Sequence, residues 1–332
     1  MVFFCILFIV NLVWICVNVY MWIAHGFQSI IQGENLIENI YYSYYIKWII
    51  LSDFIWIIFG LIFVYQRKQF KIDPAHFLHS NKILEPKICV TMPSYNEEKA
   101  IGNVVSNYMN QKYVVSVIVV DNNSSDRTVE IAKKNGADVI TKNENKGFSH
   151  SYVLGLQQSL QTEANIIVVT ESDGTFDGND ISKFLPYLEN CDVVTGSRQN
   201  QILTQQGNQN NRLLVYGNIF LAKLIQLKYF SLRHFGIVEL TDVGCMHRCM
   251  RKESVEKIID QFVKPGTDEP IITPGSGLVA ILMTMLCIEN NLKIVEIPIT
   301  FKKRIGTSKT FSDKRFRAIK YGFTFLRFII SR

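Results

Sequence analysis

The chain has 332 residues, 48% of them hydrophobic and 12% aromatic, with a formal net charge of +6. That length suits one sizeable α/β domain with attachments, and the apolar share is high for a wholly soluble protein. Seven cysteines, an odd number with no C-x-x-C pair, exclude a disulfide framework and read as reduced thiols.

Residues 1–24, "MVFFCILFIVNLVWICVNVYMWIA", contain no charged side chain and are long enough to cross a hydrocarbon core of about 30 Å as a helix. A signal peptide fits less well, because no basic segment precedes the apolar run and no small-x-small site follows it. A second apolar run, residues 48–65, is interrupted only by Asp53, so two N-terminal transmembrane helices are expected. Between them residues 25–47 form a non-cytoplasmic loop, whose Tyr41, Tyr42, Tyr44 and Tyr45 suggest an interfacial belt. Arg67, Lys68 and Lys71 follow the second run, which places the N-terminus and the rest of the chain in the cytoplasm.

Residues 66–86 read as a polar linker. Beyond it, strands at "KICVTMP", "VVSVIVVD", "DVIT", "NIIVVT" and "DVVTG" alternate with helices over 99–110, up to Asn135, and 149–160. Ser124, Ser125 and Asp126 offer caps for the middle helix, and Gly136 closes it. Continuous β-branched strands separated by helices predict a mostly parallel sheet covered on both faces. Ligands of such sheets bind beyond the carboxyl ends of the strands. Those ends carry Pro93-Ser94-Tyr95-Asn96-Glu97, Asp121-Asn122-Asn123, Glu171-Ser172-Asp173 and Gly196-Ser197-Arg198, a polar and mostly acidic set.

Further along, residues 213–229 form an apolar helix with Lys223 and Lys228, either grazing a membrane or packed in the core. Residues 278–288 are apolar but too short to span, and are expected to be buried. Residues 301–332 carry ten Lys and Arg against one Asp, interleaved with aromatic and aliphatic residues. An amphipathic helix on an anionic membrane over 311–332 is expected, with a solvated basic tail as the alternative. Cys245 and Cys249 flank His247 but lack the second ligand pair of a zinc site.

No glycine fingerprint or Walker lysine loop follows the first strand, so dinucleotide and P-loop chemistry are excluded. Acids at the strand ends must meet a phosphate through something positive. A divalent cation on Asp173, bridging phosphate oxygens, fits that requirement. Asp121 can instead accept hydrogen bonds from a base or ribose.

The ordered set "MPSYNEE", "VIVVDNNSSDRTVEIA", "NKGFSHSYVLGL", "VVTESDG", "VVTGSR", "TDVGCMHR" and "VEIPITFKKRIGTSK" resembles the family 2 glycosyltransferases of GT-A fold. Within these it is most similar to the polyprenyl- and dolichyl-phosphate sugar transferases. The resemblance covers about residues 87–309 and implies a Rossmann-like nucleotide-diphospho-sugar transferase domain over 87–310. It implies that Pro93, Tyr95, Glu97, Asp121, Asn122, Lys146 and Asp173 surround a UDP- or GDP-linked sugar. Asp173 is then the principal ligand of Mg2+ or Mn2+, with Glu171 where the family usually has the first Asp of D-x-D. Arg198, Arg304, Ser308 and Lys309 would grip phosphate, and Asp242 would lie beside the acceptor. Arg198, Asp242, Arg304 and Lys309 are the candidate catalytic residues. Met246 and His247 depart from the usual Gly and Phe, which puts the acceptor wall in doubt.

The implied reaction is inverting transfer of a hexose to a polyprenyl phosphate, which needs no general base because the second pKa of a phosphate monoester is about 6. A sugar-hydroxyl acceptor would need one, with Asp242 first and Asp268 or Glu269 second. That second reading includes a polysaccharide synthase, although Gln209 and Arg212 precede Asp242 rather than follow it. An inactive nucleotide-sugar-binding membrane protein is the alternative of another class. No nucleic-acid partner is expected.

Overall fold

The computed structural model describes residues 2–33, 80–206, 211–229, 239–272, 277–306 and 315–332, with isolated positions at 47, 51, 54, 55, 57, 58 and 61. The chain forms two compact units, Met1–Gln69 and Phe70–Arg332.

In the first unit the apolar N-terminal run folds as one helix, α1 (Val2–Gln32). The two expected membrane spans are not borne out: among the described residues no helix is long and apolar enough to cross a membrane. α1 instead continues past Ala24 through the polar His25, Gln28, Ser29 and Gln32. Most of the expected second span, the tyrosine belt, Arg67, Lys68, Lys71 and most of the linker lie outside the described residues.

The second unit is built on a seven-stranded sheet of order β3-β2-β1-β4-β6-β5-β7. Its strands are β1 (Ile88–Ser94), β2 (Val114–Asp121), β3 (Asp138–Thr141), β4 (Ile166–Val169), β5 (Val193–Ser197), β6 (Arg248–Arg251) and β7 (Ile294–Pro298). β1 to β4 are parallel, and each is the β-branched run expected from the sequence to within a residue or so. β6 runs antiparallel to both β4 and β5, so the sheet is mixed. Sequence periodicity does not reveal β6, because "RCMR" places two arginines on a buried strand. Both are satisfied by carbonyls: Arg248 donates to Cys245 and Ala280, and Arg251 to Leu188 and Cys191.

The helices are α2 (Ile101–Met109), α3 (Thr128–Lys134), α4 (Phe148–Leu160), α5 (Arg212–Lys228), α6 (Lys252–Ile258), α7 (Leu278–Glu289) and α8 (Arg315–Ser331). α4 lies close on β1 and β2 because Gly155 faces Thr91 Oγ1, where a Cβ would clash. α7 is buried from Leu278 to Ile288, as its length and composition require. Strand order reverses between β1 and β4, and a parallel α/β sheet opens its ligand crevice at such a point. Register sets Ser94 beside Asp121 and Asp121 beside Thr141 along the carboxyl edge.

Candidate active site

β4 runs out into Thr170, Glu171, Ser172, Asp173 and Gly174 at the switch point. Ser172 Oγ donates to the Pro93 carbonyl at 2.9 Å, tying this turn to the end of β1. Gly174 has φ +80°, and its missing Cβ would stand 3.0 Å from Ile305 Cδ1. Glycine therefore serves both the turn and the strap that crosses it. That strap, the segment after β7, is fixed by its backbone: Lys302 N donates to Thr175 O at 2.7 Å and Ile305 N to Asp173 O at 3.0 Å.

The strap delivers Arg304 between two buried acids. Its Nη1 donates to Asp173 Oδ2 at 2.6 Å, and its Nη2 donates to Glu97 Oε1. Asp173 Oδ1 accepts from Thr175 N and Oγ1, so both of its oxygens are occupied. Glu171 faces the same cluster. Burial, and then the charge of Asp173, push its carboxyl up to about 8, against the pull of Arg198 and Arg304. Glu171 and Asp173 together carry more negative charge than Arg304 alone neutralises.

A second pair lies alongside. Arg198, just past β5, donates from Nε and Nη2 to the two oxygens of Asp242, both at 2.7 Å. Burial pulls the Arg198 guanidinium down, but the charge and hydrogen bonds of Asp242 more than reverse this. Gly244 leaves the needed room, since a Cβ there would stand 3.1 Å from Arg198 Nη2 and 2.8 Å from Asn218 Oδ1. Asp242 is aimed by a residue the sequence reasoning passed over. Glu296 on β7 pairs in register with Thr195 and accepts from Thr241 N and Oγ1 and from Asp242 N, the last at 2.7 Å. Burial raises its proton affinity, partly offset by those donors. An acid inside the apolar run "IVEIPI" was the available signal.

The nucleotide-side residues form a separate cluster at the ends of β2 and β3. Asp121 is fully buried and accepts from Ser124 N at 3.0 Å and Ser124 Oγ at 2.5 Å. Ser124 thus serves Asp121 rather than capping α3, where Asp126 takes that part by accepting from Thr128 N. Asn122 bonds Asn145 and the Lys146 amide. Lys146 itself is half exposed and pairs with Glu144 at 3.4 Å. Lys142, missed in the sequence, lines a cavity of about 400 Å3 with Lys146 and His150. Burial, then Lys146, lowers its ammonium to about 8. Pro93 is buried within β1 and Tyr95 is half-buried just beyond it.

The structure therefore brings Glu97, Glu171, Asp173, Arg198, Asp242 and Arg304 into one site and Asp121, Asn122 and Lys146 into its neighbour. Ser308 and Lys309 lie outside the described residues. Asp268 lines a groove with Lys146 and His150, and Glu269 is exposed and paired with Lys264. His247 is fully buried among Phe176, Phe184 and Tyr108, so it packs a core rather than walling a site.

No group of three or more His, Cys, Asp or Glu that could hold a metal occurs among the described residues. A donor set of Glu171 and Asp173 still suits a hard divalent cation that takes its remaining ligands from substrate phosphates. Burial first, and the charge of Asp173 second, raise the proton affinity of Glu171.

Residues 89–259 match the family described as Glycosyl transferase family 2. The dolichyl-phosphate hexose transferase of Haloferax volcanii is 29% identical, over 67% of this chain and 86% of its own length. The polyprenol monophosphomannose synthase of Mycolicibacterium smegmatis is 25% identical, over 71% of this chain and 84% of its own. Two further relatives are matched over less than two thirds of their length: the chain spans 49% of a 36%-identical protein of Methanocaldococcus jannaschii and 63% of the glycosyltransferase AglJ of Haloferax volcanii. Among solved structures, glucosyl-3-phosphoglycerate synthase from Mycobacterium tuberculosis in complex with Mn2+, uridine-diphosphate and glucosyl-3-phosphoglycerate shares the fold. Its TM-score is 0.51 at 16% identity, covering 74% of this chain and 80% of that one.

Proposed function

Because the chain belongs to glycosyl transferase family 2, we propose that it transfers a hexose, with inversion, from a UDP- or GDP-linked sugar to a polyprenyl phosphate. The observation that carries the choice of acceptor is the state of Asp242. Both its oxygens are held by Arg198, so the residue best placed to deprotonate a sugar hydroxyl is already engaged as an anchor. A phosphate monoester is anionic near neutral pH and needs no base. What it needs is cationic help to approach an anionic donor, and two partly buried arginines, Arg198 and Arg304, flank the crevice. The names of the dolichyl-phosphate hexose transferase and the polyprenol monophosphomannose synthase support the same acceptor class.

In this reading Asp121 and Asn122, with Lys146, hold the nucleoside end, and Arg304 and Arg198 hold phosphate oxygens. An acceptor phosphate oxygen forms a bond to the anomeric carbon as the bond to the nucleoside diphosphate breaks, and the electron pair leaves with the diphosphate. Arg304 would have to exchange Asp173 or Glu97 for a phosphate oxygen when donor binds. Glu171 and Asp173 would hold a divalent cation, Mg2+ or Mn2+, which when bound would offset charge on the leaving diphosphate. Ser308 and Lys309 are proposed as further phosphate contacts from the resemblance alone. A lipid-phosphate acceptor places the reaction at a membrane surface.

The test is a panel of radiolabelled UDP- and GDP-sugars with polyprenyl phosphate, with product extracted into organic solvent. One donor should give an organic-soluble product, and Asp173→Asn should abolish it while leaving the circular dichroism spectrum unchanged. Transfer only to a glycan hydroxyl, or nucleotide-sugar binding without turnover, would overturn the proposal.

A further inference from the structure

Two helices of the second unit, α5 and α8, each leave an apolar stripe in solvent. On α5, Leu213, Tyr216, Phe220 and Leu227 are 43%, 70%, 46% and 39% exposed. At 3.6 residues per turn they fall within about 60° of arc. Arg212 and Lys223, both exposed, border that stripe. On α8, Ile319, Phe323 and Ile330 are 46%, 66% and 47% exposed. They fall within about 40° of arc by the same geometry. Lys320 and Arg327 flank them, again exposed. The two helices pack together, and Lys228 Nζ donates to the Ile329 carbonyl at 2.5 Å. Neither α5 nor α8 contains an acidic residue.

We propose that the outer stripes of α5 and α8 form a docking surface for an anionic lipid bilayer, which presents a lipid phosphate to Arg198. Aromatic and aliphatic side chains bordered by bases, with acids excluded, match the layered chemistry of a bilayer surface, with acyl chains below and anionic headgroups above. A second copy of the chain fits poorly, since pairing two such faces would oppose base to base. A nucleic acid would leave the aliphatic stripes unmatched. The opposite face of α5 supplies the link to the site. Asn218 approaches Gly244 and, with it, the Arg198 guanidinium, so the stripe and the Arg198–Asp242 pair are separated by little more than one helix. Delivery of lipid phosphate rests on the acceptor proposed above; the docking surface itself does not.

Two measurements separate these parts. Tryptophan is introduced by Tyr216→Trp and Phe323→Trp, with Tyr113→Trp as a control outside both helices. Each emission, taken as the difference from the parent chain, is followed on vesicles of brominated phosphatidylcholine with and without phosphatidylglycerol. The first two should be quenched on the anionic vesicles and released by high salt, while the control is unchanged. If the new tryptophans at 216 and 323 are quenched no more than the control, the surface is overturned, whatever the enzyme does. For delivery, Phe220→Glu and Phe323→Glu are assayed with long-chain polyprenyl phosphate in anionic vesicles and with a water-soluble short-chain isoprenyl phosphate. The vesicle rate should fall at least about tenfold with the soluble rate unchanged, as loss of interfacial anchoring predicts. Equal rates for variant and parent on vesicles, or equal losses on both acceptors, would overturn delivery. No turnover of either acceptor by the parent chain would instead count against the proposed reaction, and the quenching result would stand.

Discussion

Replacing Arg304 by methionine isolates what the guanidinium does between Glu97 and Asp173. Side-chain exposures are 13% for Arg304, 7% for Glu97 and 4% for Asp173, so little water is available to replace the lost cation. Removing one partner of a buried pair costs about 3–5 kcal/mol, because the charge left behind is unsolvated. The upper part of that range is expected, since two carboxylates lose one cation and Glu171 already crowds Asp173. The carboxylates can relieve the cost by taking up protons, and this gives the prediction its shape. Without Arg304 their folded-state proton affinity rises above the unfolded value, so the folded state holds the extra protons. Stability then falls as pH rises, by about 1.4 kcal/mol per pH unit for each extra proton bound. The deficit should be smallest near pH 5, roughly where an unfolded carboxylate still retains some protons, and largest near pH 8. Urea unfolding of the full chain across that range, with divalent cations chelated, measures it. Adding Mn2+ to the variant should recover part of the loss, because the two acids are then free to bind it. A deficit below about 1 kcal/mol at the alkaline end, the value typical of a solvated surface pair, would refute the reasoning. So would a deficit independent of pH.

Three further outcomes are expected. Glu171 holds its proton up to about 8 in the folded state, so its contribution is present in acid and is lost as pH rises through that value. Glu171→Gln should therefore flatten the metal-free fall of Tm between mildly acidic and alkaline pH, and an unchanged slope would show that another group titrates. His247 is lowered to about 4 by burial, so its neutral form favours folding and that benefit is lost as pH falls from the ordinary 6.5 through 4. His247→Phe should remove up to about 3 kcal/mol of acid destabilisation in unfolding experiments; full acid sensitivity in the variant would refute this. Glu296→Gln keeps the side-chain shape but weakens three hydrogen bonds to the Thr241–Asp242 turn. It should lower kcat about tenfold with KM for the nucleotide sugar little changed, as expected of a group that orients another. A rise in KM alone would instead assign it to binding.

The strands β1, β4 and β5 were legible because a strand buried on both faces writes itself as a β-branched run, and β2 and β3 carry the same residue types although β3 is a half-exposed edge strand. "ESDG" raised the question of two carboxylates on one turn, and the answer has two parts. Asp173 is neutralised by Arg304, which comes from 131 residues later in the chain. Glu171 has its proton affinity raised by burial and by Asp173, and in the proposed reaction it meets a cation. Neither partnership could be read from spacing, because a strap crossing the strand end is fixed by backbone hydrogen bonds that depend on the whole sheet. The same holds for β6, whose arginines contradict a strand until the carbonyls that receive them are in place. The membrane spans expected from the uncharged runs are not borne out among the described residues.

By itself, then, the sequence determined the parallel half of the sheet, the acidic strand ends and the family, all of which depend on residue type at short spacing. Only the tertiary structure decided that Arg304 bridges Glu97 and Asp173, that Arg198 occupies both oxygens of Asp242, and that Glu296 aims that pair. These are contacts between strand ends and loops distant in the chain. Their energies depend on exclusion of water, which no local stretch of residues specifies.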